Sequence, residues 1–203
     1  MALVTKQNFV SMSASANSSA AEAEGKTFWN AVVRQDVATI EACARHQCFN
    51  ANCEGARGLT PLYLASKLGS VGVVNCLIAF GADPNKPGLS GFSPLSIAAV
   101  KGHFGVINAL VEGGADVDMC IPGGATPIYI ASDHCHVECI RALAGLGADV
   151  DKAKENGATP VYVASQNGHV ECIRALAGLG ADVDKAVDDG TTPVYVASHS
   201  GHV

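Results

Sequence analysis

A glycine recurs every 33 residues along most of this sequence, and each of these glycines stands two residues before a Thr-Pro or Ser-Pro pair. They are Gly58, Gly91, Gly124, Gly157 and Gly190. A fixed period of roughly 20 to 50 residues indicates stacked units, each of which is too short to bury its apolar face without a neighbour. The length of the chain therefore sets the number of repeats rather than the number of globular domains.

The first half of the repeat is clearest in residues 157–189, GATPVYVASQNGHVECIRALAGLGADVDKAVDD. Thr159 is predicted to cap a helix by accepting a hydrogen bond from a free amide of the first turn. Pro160 is predicted as the first helical residue, where a missing N–H costs nothing. A short apolar pattern follows, and Gly168 permits the left-handed turn that ends this first helix.

The second half of the repeat predicts another helix and a return loop. Val170, Ile173 and Leu176 are spaced by three, which predicts the buried stripe of a second helix. Gly180 ends that helix, and the polar run of residues 182–189 is predicted to return as a β-hairpin-like loop.

Several segments carry a family resemblance. GLTPLYLA at 58–65 is followed by GADPN at 81–85, and SPL at 93–95 by GADVD at 114–118, while the later repeats keep the Thr-Pro pair. In these segments the sequence resembles the ankyrin-repeat family, over about residues 25 to 203. The resemblance implies an all-α repeat solenoid of 33-residue units, each a helix-turn-helix plus a β-hairpin loop.

The period divides the chain into predicted segments. They are a disordered Ser/Ala-rich tail (1–24), a degenerate N-terminal capping repeat (25–57), four ankyrin repeats (58–90, 91–123, 124–156, 157–189) and a truncated repeat (190–203). Because the last segment stops after its first helix, we expect a fragment of a longer array or multidomain protein. In that case, amide exchange should be fastest after Gly178.

The chain departs from the family where histidine usually follows Thr-Pro-Leu. These positions hold Tyr63, Ser96, Tyr129, Tyr162 and Tyr195. A column of tyrosines can replace histidine through hydroxyl hydrogen bonds between repeats, or it can present a polar aromatic ladder to a ligand. Gly145 and Gly178 also lie late in second helices, where each should cost about 1 kcal/mol relative to alanine.

Composition excludes several classes of function. The formal net charge is −6, and lysine and arginine do not cluster, which argues against binding nucleic acid or an anionic membrane. The first residues lack the apolar core of a signal peptide, and the sequence has no apolar stretch long enough for membrane insertion. We therefore expect an intracellular, cytoplasmic monomer whose 8 cysteines are reduced.

The best metal candidate is HCHVEC, residues 134–139. Thiolates and imidazoles are suitable zinc ligands, but the repeat pattern also explains why each of these residues is present. Cys135 stands where other repeats have a helix-ending glycine, His136 where they also have histidine, and Cys139 where the next repeat has Cys172. We predict no metal site, no cofactor and no catalytic residue.

The resemblance implies a non-catalytic scaffold that binds a partner protein on the concave face formed by loop tips and first helices. An alternative is the recognition arm of a longer enzyme, of the kinase or ubiquitin ligase class, whose catalytic part lies outside this chain. The predicted partner-binding residues are those that vary most between repeats: Lys67, Lys86, Leu89, Phe92, Val100, Lys101, Ile121, Asp133, His134, Lys154, Glu155, Gln166, Asn167, Asp188 and Asp189.

Within this set we expect an apolar contact, flanked by a strip that becomes more acidic toward Asp188 and Asp189. The apolar residues are Leu89, Phe92, Val100 and Ile121. The alternative is that these residues belong to solvated loops, because single exposed apolar side chains are common.

Overall fold

The structure is a computed structural model that describes residues 18–45, 49–55 and 58–202. The described residues form α1 (Ser18–Arg34), α2 (Val37–Ala44), α3 (Pro61–Leu68), α4 (Val71–Ala79), α5 (Pro94–Lys101), α6 (Phe104–Glu112), α7 (Pro127–Asp133), α8 (Val137–Gly145), α9 (Pro160–Gln166), α10 (Val170–Gly178) and α11 (Pro193–His199), with a short 3-10 turn at Leu89–Gly91. The predicted all-α repeat architecture is confirmed. In the described segments, no helix is both long and apolar enough to cross a membrane.

The first helix of each repeat begins as the Thr-Pro pattern predicts. At α3, α7 and α9 the threonine hydroxyl accepts a hydrogen bond from the amide three residues later, for example Tyr63 N to Thr60 Oγ1 at 3.1 Å. Ser93 does the same for α5, and Thr192 for α11. Each proline occupies the first turn, so the start of every first helix is fixed locally.

The predicted β-hairpin of the return loops is not confirmed, because no β-strand is present in the part of the chain that the structure describes. One backbone hydrogen bond closes each loop and recurs with the repeat period. The bonds run from Gly55 N to Leu59 O (2.8 Å), Gly88 N to Phe92 O (2.9 Å), Ile121 N to Ala125 O (3.0 Å), Lys154 N to Ala158 O (2.9 Å) and Val187 N to Thr191 O (3.0 Å). Each loop is too short for strand pairing and is held as a closed turn.

The helices stack in two layers. First helices contact first helices of neighbouring repeats, as α3 does α5, and second helices contact second helices, as α4 does α6. Between the layers lie fully buried aliphatic side chains, including Leu62, Leu77, Leu110 and Leu143. Because each layer is continued by the neighbouring repeat, the core runs through the described array as one cluster.

The buried face of the second helix differs from the prediction at its first position. Val170 is 52% exposed and Ile173 is half-buried, whereas Cys172 and Leu176 are buried. A side chain in the first turn points back past the helix start and reaches less of the neighbouring helix. The predicted stripe is therefore wrong at Val170.

The N-terminal helix begins earlier than the capping repeat predicted from the sequence. α1 begins at Ser18, so the predicted tail over residues 1–24 needs correction at its end. The segment AAEAE consists of strong helix formers, which favour continuing the helix upstream of the buried Phe28. Residues 1–17 of the predicted tail lie outside the described residues.

Replacing Gly145 or Gly178 with alanine should raise the free energy of unfolding by about 0.5–1 kcal/mol each, because glycine loses more backbone entropy in a helix. Both end a second helix, neither has a left-handed φ, and an added Cβ would meet no atom within 4 Å. Ala79 already occupies the matching position of α4. Urea denaturation followed by circular dichroism measures the change.

Gly147→Ala is the matched control for these substitutions. Gly147 also has open space around it, but its φ of +95° is left-handed, so alanine there should lower the free energy of unfolding. If Gly145→Ala destabilises the chain as much as Gly147→Ala, the helix-end explanation is wrong.

Candidate functional site

Two tyrosines of the first helices, Tyr63 and Tyr129, lie against loop tips. The backbone of Gly88 packs so closely on Tyr63 that a Cβ added to the glycine would lie 2.6 Å from Tyr63 Cγ. Lys154 holds the matching loop position and places Nζ 5.3 Å from the centre of the Tyr129 ring. We call Tyr63, Tyr129, Tyr162 and Tyr195 the tyrosine column. Its first two members, Tyr63 and Tyr129, join a first helix to the loop tip of the same repeat.

The tyrosine hydroxyls do not replace histidine as hydrogen-bonding groups between repeats. No tyrosine hydroxyl in the described segments makes a hydrogen bond to another protein atom, so that interpretation is wrong. Burial raises the pKa of Tyr63. Burial, with the charge of Asp133 and the neighbouring Tyr162, raises the pKa of Tyr129 to about 12. The hydroxyls of Tyr63 and Tyr129 thus stay neutral. Side-chain exposure increases along the column to 62% at Tyr195.

The predicted binding residues fall into two rows. The tip row comprises Lys86, Leu89, Phe92, Ile121, Lys154, Glu155, Asp188 and Asp189 on the loops; the helix-end row comprises Lys67, Val100, Lys101, Asp133, His134, Gln166 and Asn167 at or just after the last turn of first helices. α7 has 7 residues, so its two ends are about 10 Å apart.

Tyr129 connects the two rows in the repeat of residues 124–156. Lys154 lies over its ring from the tip row. Asp133 lies one helical turn further along α7 and is close enough for its charge to raise the pKa of Tyr129. Lys154, Tyr129 and Asp133 therefore follow one another along one side of α7, so that one member of each predicted row lies near Tyr129.

The helix-end row is linked by polar contacts across two repeats. Asn167 Nδ2 donates to Asp133 Oδ1 at 2.8 Å, and His134 Nδ1 lies 3.0 Å from the Ile130 carbonyl oxygen and 3.8 Å from Asp133 Oδ2. Gln166 and His134 are exposed. Near α7 and α9, this row is a partly fixed polar surface.

The side chains of the predicted apolar contact are partly buried within the protein itself. Phe92, Val100 and Ile121 are partly buried and pack against the hydrophobic core. Leu89 is half-buried at the start of the 3-10 turn. These side chains offer only part of their surface to another molecule, so the polar residues dominate the exposed part of the two rows.

The tip row changes its charge along the stack. Lys86 pairs with Glu54 at 2.8 Å and donates to the Asn52 carbonyl at 3.0 Å. Toward the other end Glu155, Asp188 and Asp189 are exposed. Hydrogen bonds from the Thr191 hydroxyl and amide hold the pKa of Asp189 below its usual range, so this tip stays negative.

One histidine of the metal candidate, His136, belongs to an inter-repeat ladder. His103, His136 and His169 place Nε2 at 3.3, 3.1 and 3.1 Å from the carbonyl oxygens of Lys67, Val100 and Asp133. Each imidazole thus satisfies the last turn of the preceding first helix. Cys139 is buried in the core. No group of three or more possible ligands in the described residues is arranged to hold a metal ion.

A second ladder at the loops was missed by the sequence analysis. Asn52 Oδ1 accepts from Asp83 N at 2.7 Å while its Nδ2 donates to Gly81 O at 2.8 Å. Asn85 makes the equivalent pair of bonds with the next repeat. At Asp118 and Asp151 only the acceptor half remains, to Asp149 N and Asp182 N. The recurrence of Asn or Asp every 33 residues was the available signal.

Paired short helices that repeat every 33 residues and stack through two polar ladders define a helical repeat solenoid. The sequence model described as ankyrin repeats (3 copies) matches residues 14–121, 74–154, 95–187 and 146–203. The chain belongs to the ankyrin-repeat family, whose members generally bind other proteins and are typically not catalytic. No curated protein was found that matches this chain.

Asp118→Asn should raise the free energy of unfolding by about 0.5–1.5 kcal/mol at pH 7, because the amide can donate to Gly147 O as Asn85 donates to Gly114 O. Burial, with the charges of Asp149 and Asp116, raises the pKa of Asp118. The hydrogen bond from the Asp149 amide and the charge of Lys152 lower it, but by less. A carboxyl whose pKa is raised on folding costs stability when ionised.

This cost disappears as the carboxyl becomes protonated. The electrostatic part of the advantage of Asp118→Asn should therefore be complete at neutral pH and shrink as the pH falls through the raised pKa toward 3.8. Urea midpoints of both chains across this range test it. Asn85→Asp is the reverse substitution and should destabilise; an unchanged midpoint in both variants would contradict the ladder's contribution.

Proposed function

We propose that this chain is a non-catalytic scaffold that binds a partner protein through the concave face formed by the tip row, the tyrosine column and the helix-end row. The main supporting observation is that Lys154, Tyr129 and Asp133 lie in this order along one face. The first helix of the next repeat is joined to this face by the hydrogen bond from Asn167 to Asp133. The general protein-binding function of the family supports the proposal.

Different side chains hold the stack together and remain available for binding, which also supports this face as the binding surface. The two ladders and the threonine caps hold the stack with groups at the ends of the helices and loops. Gln166, Glu155 and Lys101 are exposed and vary between repeats. A set of exposed, variable residues on a fixed frame can discriminate between partners without altering the frame.

We further propose that the chain acts as an intracellular monomer and that its apolar tip residues form the margin of the contact. Phe92 and Ile121 are anchored in the core and keep part of their surface exposed. Such half-buried side chains are ordered before binding, so a partner pays little conformational entropy to use them.

The test compares two variants with the same change in charge. The face variant carries Lys101→Glu and Lys154→Glu, and the control variant carries Arg141→Glu and Arg174→Glu on the exposed side of second helices. Proteins crosslinked to the unchanged chain in an extract of its source cells are identified and then titrated against all three chains.

The face variant should change the affinity for a direct partner by at least about tenfold, because charges within an interface alter binding by more than about 1.4 kcal/mol when they are central. The control should change it by less than about twofold, since the Arg174–Glu171 pair is a surface ion pair. Equal affinities for all three chains would place the binding site elsewhere, and circular dichroism verifies that both variants are folded.

A further inference from the structure

Two thiols from adjacent repeats lie in contact. Cys172 Sγ is 3.8 Å from Cys135 Sγ, although the residues are 37 positions apart in the chain. Cys135 is exposed in the turn between α7 and α8, while Cys172 is buried in the first turn of α10. The pair thus has one sulfur within reach of solvent and a second directly behind it.

The repeat pattern does not require a thiol at residue 135. Gly69, Gly102 and Gly168 stand at the matching positions with left-handed φ angles, and Cys135 adopts the same conformation at φ 60°. Residues with a Cβ rarely adopt this conformation, because it brings the Cβ close to a carbonyl oxygen. The chain therefore carries a thiol where glycine would fit with less backbone strain.

Cys139 shows that the thiol contact is specific to one repeat interface. Cys139 and Cys172 occupy the same position of α8 and α10, and both are buried. The residue that matches Cys135 in the repeat before α8 is Gly102, which has no side chain. Cys139 is therefore an internal control with similar burial and no sulfur at the corresponding position.

We propose that Cys135 and Cys172 are a redox-active pair, which a low-molecular-weight disulfide such as oxidised glutathione converts into a disulfide between two repeats. The sulfurs must approach from 3.8 Å to about 2.05 Å. The bond joins the α7–α8 turn to α10. It therefore fixes the repeat of residues 124–156 to that of residues 157–189.

The oxidation proceeds by two exchanges. The Cys135 thiolate attacks a sulfur of oxidised glutathione, the glutathione S–S bond breaks, and one glutathione thiolate leaves as the mixed disulfide forms. Cys172 gives its proton to solvent and attacks Cys135 Sγ, which releases the second glutathione thiolate. Both released thiolates take up protons. Two protein thiols are thereby oxidised by two electrons, and one oxidised glutathione is reduced to two glutathione molecules.

The second exchange limits the rate. In the reduced chain burial, the contact with Cys135, and the charges of Glu138 and Glu171 raise the pKa of Cys172 to about 12. In the mixed disulfide, burial and the two glutamate charges still raise this pKa. Because the thiolate is the nucleophile, the conversion of the mixed disulfide should accelerate by about tenfold per pH unit below that pKa. The mixed disulfide at Cys135 should therefore accumulate near neutral pH and be consumed faster at higher pH.

The experiment incubates the reduced full chain with oxidised glutathione, blocks remaining thiols after denaturation, and maps the disulfides by mass spectrometry. The unchanged chain should yield a peptide pair linked through Cys135 and Cys172, at a rate that rises with pH. Cys135→Gly restores the residue of the other repeats, and Cys172→Val the residue at Val73 and Val106. Neither variant should form the linked pair.

Absence of the Cys135–Cys172 peptide pair in the unchanged chain would overturn the proposal. So would a linked peptide that joins Cys135 to Cys139 as frequently as to Cys172. Cleavage before aspartate separates Cys120 from Cys135, because Asp133 lies between them. Glutathione taken up by the exposed Cys120 then stays on its own peptide, in Cys135→Gly as in the unchanged chain.

Amide hydrogen exchange tests the consequence for the stack. Amides of α10 should exchange at least about tenfold more slowly in the bridged chain than in the reduced chain, because a cross-link restricts local opening. Oxidised and reduced Cys135→Gly should exchange alike. A bridged chain whose α10 exchanges as fast as the reduced chain would overturn the fixing of one repeat to the next.

Discussion

Contact between neighbouring repeats is the interaction on which every other feature of this structure depends. The sequence VECIRALAG occurs as both α8 and α10, which makes the comparison direct. Ile140 in α8 is fully buried, yet the matching Ile173 in α10 is half-buried. Helix α8 packs against α6 on one side and α10 on the other. Because the two helices have the same sequence, the difference in burial comes from the residues that lie beside each helix.

Polar groups fix the distance and register between these layers. The histidine ladder satisfies carbonyl groups at the ends of first helices, and the Asn/Asp ladder satisfies amides at the loops. Buried apolar contacts alone are non-directional and would allow neighbouring repeats to slide. Hydrogen bonds at two separate points of each repeat remove that freedom, since shifting one repeat would leave amides and carbonyls without partners. Exposed residues outside these two ladders can therefore vary without loss of alignment.

Short sequence patterns predicted most of the fold, and contacts between repeats explain the features that these patterns did not predict. The Thr-Pro pairs, with the glycines at 69, 102 and 168, predicted helix starts and ends because caps and left-handed turns depend on a few adjacent residues. The exposure of Val170 and the raised pKa of Tyr129 depend on the residues that the next layer and loop place beside them. The candidate face stays a prediction from residues that vary between repeats, and the sequence did not predict the position of Tyr129 between Lys154 and Asp133.

The contact between Cys135 and Cys172 shows the same dependence at a single pair of atoms. Read locally, Cys135 is an unfavourable substitute for a helix-ending glycine, and Cys172 is an ordinary small core residue. Stacking brings the turn of one repeat against the second helix of the next, and the two sulfurs meet. A repeat array offers many positions for such contacts, because each interface between repeats brings the same two positions together. A substitution at one of these positions gains a partner only where the adjacent repeat has also changed. Near-identical repeats can thus acquire chemistry at one interface while the neighbouring interface, at Cys139 and Gly102, remains purely structural.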